Sequence, residues 1–243
     1  DREWLERVTA IPEESRALVE ALIAKFWPGP LTLVLPRREI VPDLVTSGLE
    51  TVAVRMSAHP VFQAVIERFG RPLAAPSANR FGRISPTTAA HVQGDLAGRI
   101  DLIVEGGAVA VGVESTIVGC FEAPMLLRPG GLPREEIERV LGRTLLAPSG
   151  EADSEASAPL APGMLASHYA PRTRVRLNAL RVEPGEALLA FGPTTVKGAN
   201  AAMAVMNLSA RGDLAEAAAH LFGHLRALDA RASSIGPDGE ATE

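Results

Sequence analysis

A set of polar side chains in this 243-residue sequence stands where short apolar runs begin or end. They are Thr51 and Arg55 in TVAVRM, Ser77, Asn79 and Ser85 in LAAPSANRFGRISPTT, Ser115 and Thr116 in ESTIVG, and Arg128 in LLRPGG. An arginine inside an apolar strand needs an anionic partner, because an unpaired buried charge is costly. For Arg55 that partner is a ligand carboxylate or phosphate, which guanidinium matches in shape, or a protein carboxylate at a sheet edge. Thr51, four residues earlier, falls on the same face of a strand. Ser77, Asn79 and Ser85 line the turn after Leu73–Ala75, where amides and hydroxyls can nest phosphate or ribose oxygens. Ordinary turn chemistry also accounts for each of them singly. Ser115 and Thr116 open a strand and read as turn contacts. Arg128, before Pro129-Gly130-Gly131, is either a bidentate phosphate clamp or a surface arginine. His168 and Tyr169, the latter the sole tyrosine, either stack on an adenine or pin the stretch before them to the domain. Arg80 and Arg83 receive no role.

Other chemistry has no support in the sequence. There is no G-x-x-x-x-G-K-[ST] loop, no G-x-G-x-x-G after a strand and no H-E-x-x-H, and no nucleophile elbow. The five histidines are scattered and the single cysteine has no partner, so no metal-ligand cluster is visible. No catalytic residue is assigned. Cys120, at a strand end, reads as buried and inert. Phe26 and Trp27 read as core plugs at a helix end. His59, His91, His220 and His224 read as helix or turn residues.

These groups need elements to hold them. Pro12–Phe26 carries Ala17, Leu18, Ala21, Leu22 and Ala24 with charges between, an amphipathic helix stopped by Pro28-Gly29-Pro30. Leu31–Pro36, Thr51–Met56, Pro72–Ala75, Asp101–Gly107, Ser115–Cys120 and Met125–Gly131 read as strands. Pro60–Phe69, Thr87–Leu96 and Pro133–Leu141 read as helices, the second entered through Ser85-Pro86-Thr87 with Pro86 starting it and the third ended by Gly142. Residues 147–161 are rich in Ser, Ala, Pro, Gly and acids and read as a linker. Beyond Pro171, VRL, ALLAFG and AAMAVMNLS read as short strands and Asp213–Leu228 as a helix. Alternating strands and helices give an α/β or α+β class with a mixed sheet. A net charge of -5 argues against nonspecific nucleic-acid binding. One cysteine, no signal peptide and no membrane-length apolar run make the cytoplasm the expected location, with no membrane partner.

In this order, KFWPGPLTLVL, TVAVRM followed by His59-Pro60, PLAAPSANRFGRISPTT, DLIVEGG, ESTIVG, LLRPGG and PGMLASHYAP resemble the long, two-domain threonylcarbamoyl-adenylate synthases, the YrdC-like enzymes with an added C-terminal domain. The resemblance covers about Trp4 to Leu228, and the HYAP element marks the long form. It implies an α/β fold with a twisted, mixed open sheet, a linker and a smaller Rossmann-like α/β domain. The implied boundaries are 1–146 for the YrdC-like domain, 147–172 for a linker closing over the site, and 173–243 for the C-terminal domain. It implies a nucleotidyltransferase that joins L-threonine, bicarbonate or CO2, and ATP into threonylcarbamoyl-AMP, releasing pyrophosphate, for tRNA threonylcarbamoyladenosine formation. Mg2+ accompanies the ATP, and tRNA-modifying partner proteins act downstream. Arg55, Ala75 and Ser115 are implied to contact threonine. Thr51, Ser77, Asn79, Ser85, Arg128, and His168 or Tyr169 are implied to contact ATP.

One departure bears on activity. The family opens with a KGRP-like string that grips ATP and threonine, and no such string occurs in this sequence, which starts at Asp1. The expectation is a fragment missing its N-terminal segment and part of its C-terminal domain, and therefore inactive alone. Two rivals stand beside the synthase. One is a carbamoyl-adenylate-forming, carbamoyltransferase-like domain. The other is a non-catalytic nucleotide- or RNA-binding module in tRNA or ribosome maturation, its RNA binding kept weak by the net acidity.

Overall fold

The computed structural model describes residues 1–147, 170–193 and 195–233. They form a four-stranded mixed sheet, a two-stranded sheet and seven α-helices. The described chain clusters into two compact units: Asp1–Pro76 with Glu114–Ala166, and Ser77–Val113 with Ser167–Glu243.

The first unit is built on β1 (Leu31–Pro36), β2 (Thr51–Val54), β3 (Thr116–Gly119) and β4 (Met125–Arg128), in the order β2-β1-β3-β4. β1 runs antiparallel to β2 and parallel to β3, and β3 runs antiparallel to β4 across a bulge at Ile117/Val118. Alternation along β1 sorts its side chains. Leu31, Leu33 and Leu35 enter one core with Val19, Leu22 and Ile23 of α2 (Glu13–Phe26) and Ile137 of α6 (Arg134–Leu141). Val34 enters a second cluster with Ile117 and Leu127. Thr32 shares the Val34 face, away from the two helices. α2 forms because its apolar positions recur at helical spacing and its first turn is acidic while Lys25 closes it, matching the helix dipole. α6 ends at Gly142, whose φ of 64° caps it in the left-handed region. α1 (Arg2–Val8) is capped by Asp1, which accepts from the Trp4 amide at 2.9 Å. A four-residue helix, α3 (Asp43–Thr46), precedes β2 and escapes sequence reading because it is barely one turn. α4 (Pro60–Phe69) has proline at its start and Gly70 at its end.

The second unit contains α5 (Ala89–Leu96), the parallel pair β5 (Leu188–Ala190) and β6 (Val205–Asn207), and α7 (Leu214–Ser233). Among the described residues no helix is long and apolar enough to cross a membrane.

Four sequence expectations are corrected here. Pro72–Ala75, Asp101–Gly107 and Val175–Leu177 form no strand. A strand needs a hydrogen-bonded neighbour, and these runs find none among the described residues: Leu102 is 78% exposed and Leu177 78%. The helix expected to start at Pro86 starts at Ala89, with Thr88 as cap, its hydroxyl accepting from the His91 amide at 3.3 Å.

Candidate functional site

In the first unit the site is assembled where β1 and β3 begin and β2 and β4 end. Parallel register sets Leu31 opposite Thr116, which brings Thr32 to Ser115: their hydroxyl oxygens lie 2.7 Å apart in a buried hydrogen bond. Arg128, the last residue of β4, turns inward. Its Nε and a terminal nitrogen donate to the Ser115 carbonyl at 3.1 and 2.8 Å, and the same terminal nitrogen reaches Ser115 Oγ at 3.1 Å. A Glu114 carboxylate oxygen lies 3.8 Å from it. With only 11% of its side chain exposed, Arg128 is not a surface arginine. The RPGG turn is stitched to the same strand. Thr116 Oγ1 donates to the Leu132 carbonyl at 2.7 Å and accepts from its amide at 3.0 Å, and the Gly131 amide donates to the Glu114 carbonyl at 2.8 Å.

Arg55 follows β2 by one residue rather than lying within it. Among the described residues its guanidinium makes no hydrogen bond or direct ion pair; the carboxylate whose charge reaches it is that of Glu114, which lies 3.8 Å from Arg128. The residue is exposed, yet enough protein surrounds its guanidinium for its pKa to be lowered. Desolvation is the main cause, Glu114 opposes it, and Arg128 adds to it. The arrangement is an available cation next to an arginine already fixed on Ser115. A small anion that also presents hydroxyl or amine groups would meet complementary donors and acceptors there.

Thr51 is not brought to this cluster. It pairs with Pro36 at the far end of β2, four extended residues or ~13 Å along the chain from Arg55. Ala75 is exposed and outside any strand. Thr32 and Glu114 belong to the cluster but escaped sequence reading. Their signals were a lone hydroxyl in an apolar strand and an acid directly before Ser115.

In the second unit the SAN turn is internally bonded. The Asn79 amide nitrogen of the side chain donates to the carbonyls of Arg80 and Arg83, each at 3.0 Å, and its backbone donates to the Ser77 carbonyl at 2.9 Å. Arg80 and Arg83 thus serve the turn through their backbones. That orientation leaves Asn79 Oδ1 buried without a donor among the described residues. An orphaned acceptor costs ~1–3 kcal/mol, which a ligand donor would recover. Ser77 is exposed, while Ser85 and Thr87 are buried. Thr87 donates its amide and its hydroxyl toward His91 Nδ1, each at 3.2 Å. The His91 imidazole is therefore an acceptor within this turn rather than a bystander on a helix. Its pKa is lowered, first by burial and then by Arg226, against Asp95. His168 and Tyr169 lie outside the described residues.

Residues 1–130 match the Sua5/YciO/YrdC family model, described as "Telomere recombination", and residues 132–239 match the model "Threonylcarbamoyl-AMP synthase, C-terminal domain". The chain belongs to the two-domain threonylcarbamoyl-AMP synthase family. It is 52% identical over 166 residues to the threonylcarbamoyl-AMP synthase of Pyrococcus abyssi, a match covering 68% of this chain and 47% of that protein. The chain spans less than half the length of the curated relatives it matches first. Among solved structures it is similar to P. abyssi Sua5 complexed with L-threonine, with a TM-score of 0.77 and 40% identity over 95% of this chain and 69% of that one. A variant of that protein with an adjacent histidine and tyrosine both replaced by alanine matches at TM-score 0.74 and 38% identity, covering 95% and 68%. The family resemblance and the mixed α/β fold read from the sequence therefore hold.

Proposed function

We propose that this chain carries the threonine-binding part of an L-threonylcarbamoyladenylate synthase, a nucleotidyltransferase that makes threonylcarbamoyl-AMP from L-threonine, bicarbonate or CO2, and ATP. One observation carries the reading: among the described residues Arg55 makes no hydrogen bond or direct ion pair, and it shares an electrostatic environment with Glu114 and with Arg128, which is fixed on Ser115. The threonine carboxylate pairs with Arg55 and the threonine hydroxyl or ammonium meets Ser115, with Ala75 supplying backbone. The similarity to a relative solved with L-threonine supports this.

The chemistry is undemanding of covalent help. The free amine of threonine adds to CO2 and loses a proton, giving a carbamate. A carbamate oxygen attacks the α-phosphate of ATP, and the bond to the β-phosphate breaks to release pyrophosphate. Positioning and fixed positive charge do most of the work in such a site. Arg128, Thr51 apart from it at the other end of β2, and in the second unit Ser77, Asn79 and Ser85 are the proposed nucleotide contacts. The buried orphan at Asn79 Oδ1 supports its part. No group of three or more potential metal ligands occurs among the described residues. Mg2+ therefore fits as an ion that arrives on the ATP phosphates, as Mg2+ commonly does, with tRNA-modifying proteins consuming the product.

We retain the division into 1–146, a linker at 147–172 and 173–243, with the linker closing the site through His168 and Tyr169. This is the chain's sole His-Tyr step, and the His/Tyr double variant of the P. abyssi relative supports a role for such a step. The test is calorimetric titration with L-threonine, followed by pyrophosphate release with ATP, threonine and bicarbonate in the full-length protein. Threonine should bind, and Arg55→Ala should weaken it by ~10–100-fold, the loss of one charge-assisted pair. Pyrophosphate release independent of threonine would instead favour the carbamoyltransferase-like reading, and ATP binding without any release the binding module.

A further inference from the structure

Along α7, one stripe of residues faces the rest of the second unit. Ala219, Gly223 and Arg226 recur at helical spacing, and Asp229 extends the same stripe by one turn. A Cβ on Gly112 would strike the backbone of Ala218 and Ala219, so the chain lies directly against the helix there. A Cβ on Gly223 would lie 3.6 Å from Thr87 Oγ1. Arg226 then reaches over the turn. Its Nε donates to the Ser85 carbonyl at 3.3 Å, one terminal nitrogen donates to the Ile84 carbonyl, and the same nitrogen pairs with Asp95 of α5 at 2.5 Å. Both side chains of the pair are under a fifth exposed, at 16% and 17%. One turn further, the Asp229 carboxylate accepts from the amides of Arg172 and Thr173 at 3.1 and 2.8 Å and from the Thr173 hydroxyl at 2.7 Å. These amides follow Pro171, the last residue of HYAP. The Ala170 amide is in turn held by the Gly82 carbonyl at 3.1 Å.

We infer that α7 is a positioning strut for the nucleotide half of the reaction: Arg226 aims Ser85, and Asp229 fixes the backbone at Arg172 and Thr173. The inference rests on the reading of Ser85 as a nucleotide contact given above. The physical reason is local. Holding the carbonyls on both sides of the Ser85 Cα fixes the planes of both peptides that flank it, and with them the direction of its Cβ. A charged donor holds carbonyls more firmly than a neutral one. Asp95 keeps Arg226 in place and neutralises it. Asp229 does the complementary job with an acceptor, and a carboxylate on successive amides is a strong anchor. Neither residue touches the reacting atoms.

The test uses Arg226→Gln, Asp229→Asn and the swap Arg226→Asp/Asp95→Arg in the full-length protein. The swap rebuilds the ion pair but offers the Ile84 and Ser85 carbonyls no donor from position 226. The expected result is a rise in the KM for ATP of about tenfold in both Arg226 variants, equivalent to ~1.4 kcal/mol. The threonine KM should stay within twofold of wild type, and the melting midpoint should recover in the swap. Amide exchange at Thr87 and Val109, whose bonds depend on this turn, should accelerate in Arg226→Gln. Unchanged exchange at those amides overturns the strut. Accelerated exchange with an unchanged ATP KM overturns the nucleotide role of Ser85 instead, and leaves the clamp standing as architecture. Equal losses for ATP and threonine would show a general collapse and refute a specific positioning role.

Discussion

At the scale of single residues, Arg55 and Arg128 of the first unit's site divide the work. Arg128 donates from Nε and one terminal nitrogen to Ser115 and leans on Glu114, while Arg55 makes no direct protein pair among the described residues. Exchanging their roles should fail. Arg128→Lys loses the two-pronged grip on one carbonyl that a lysine cannot make, so Ser115 should loosen and threonine affinity fall although the charge is kept; calorimetry on the variant checks this. The Thr32–Ser115 bond should be measurable on its own. In a cycle of Thr32→Val and Ser115→Ala, the coupling should be ~0.5–1.5 kcal/mol from urea melts. Additivity of the two substitutions would mean the hydroxyls do not meet in solution. Cys120 offers a third reading of the interior. Burial pushes its thiol up to about 12 from 9.0, so the folded chain holds that proton where the unfolded chain releases it. Stability should therefore be unaffected by this group below pH 9 and decline between pH 9 and about 12. A thiol reagent near pH 8 should label Cys120 only when the chain is unfolded, as a mass shift would show.

At the scale of elements, the RPGG turn and the strand after Glu114 are one joint. Gly130 has its backbone where a Cβ would lie 2.5 Å from the Ser115 carbonyl carbon and the Thr116 nitrogen. Backbone cannot yield as a flexible side chain can, so Gly130→Ala should cost ~1–3 kcal/mol in a denaturant melt. Because Ser115 is what moves, threonine affinity should drop with it. Legibility in the sequence also divides at this scale. Leu31–Pro36 and Pro60–Phe69 agree with the structure residue for residue, because their apolar runs and proline and glycine borders act within a few residues. Asp101–Gly107 has the same apolar look and forms no strand; pairing is a non-local property that composition does not carry. The candidate site divides likewise. Ser115, Arg128 and Arg55 were visible as polar groups at strand ends. Thr32 was not, since only the β1–β3 register brings it to Ser115. Arg226 and Asp95 were hidden because nothing local in a helical arginine announces which carbonyls it will reach.

At the scale of the whole chain, both compact units are discontinuous. The first is interrupted after Pro76 and resumes at Glu114, and the second is split around the resumed segment. The acidic balance of the sequence, -5 overall, is compatible with a pocket that concentrates arginines locally, since net charge speaks to solubility and nonspecific partners rather than to a site.

The parallel pairing of Leu31 with Thr116 has a consequence during synthesis. β1 can hairpin with β2 almost as soon as both leave the ribosome, but its other flank must wait for β3. At ~5–20 residues per second the intervening stretch takes on the order of ten seconds to make. Throughout that interval the leucines of β1 have α2 for cover but neither α6 nor the central strand beside them. The nascent chain is then a half-built sheet with an open edge, an arrangement open to edge pairing with other chains, so ribosome-bound chains stalled between the two strands should co-purify with a holding chaperone. Slowing translation between the two strands should lengthen that dependence, and speeding it should shorten it.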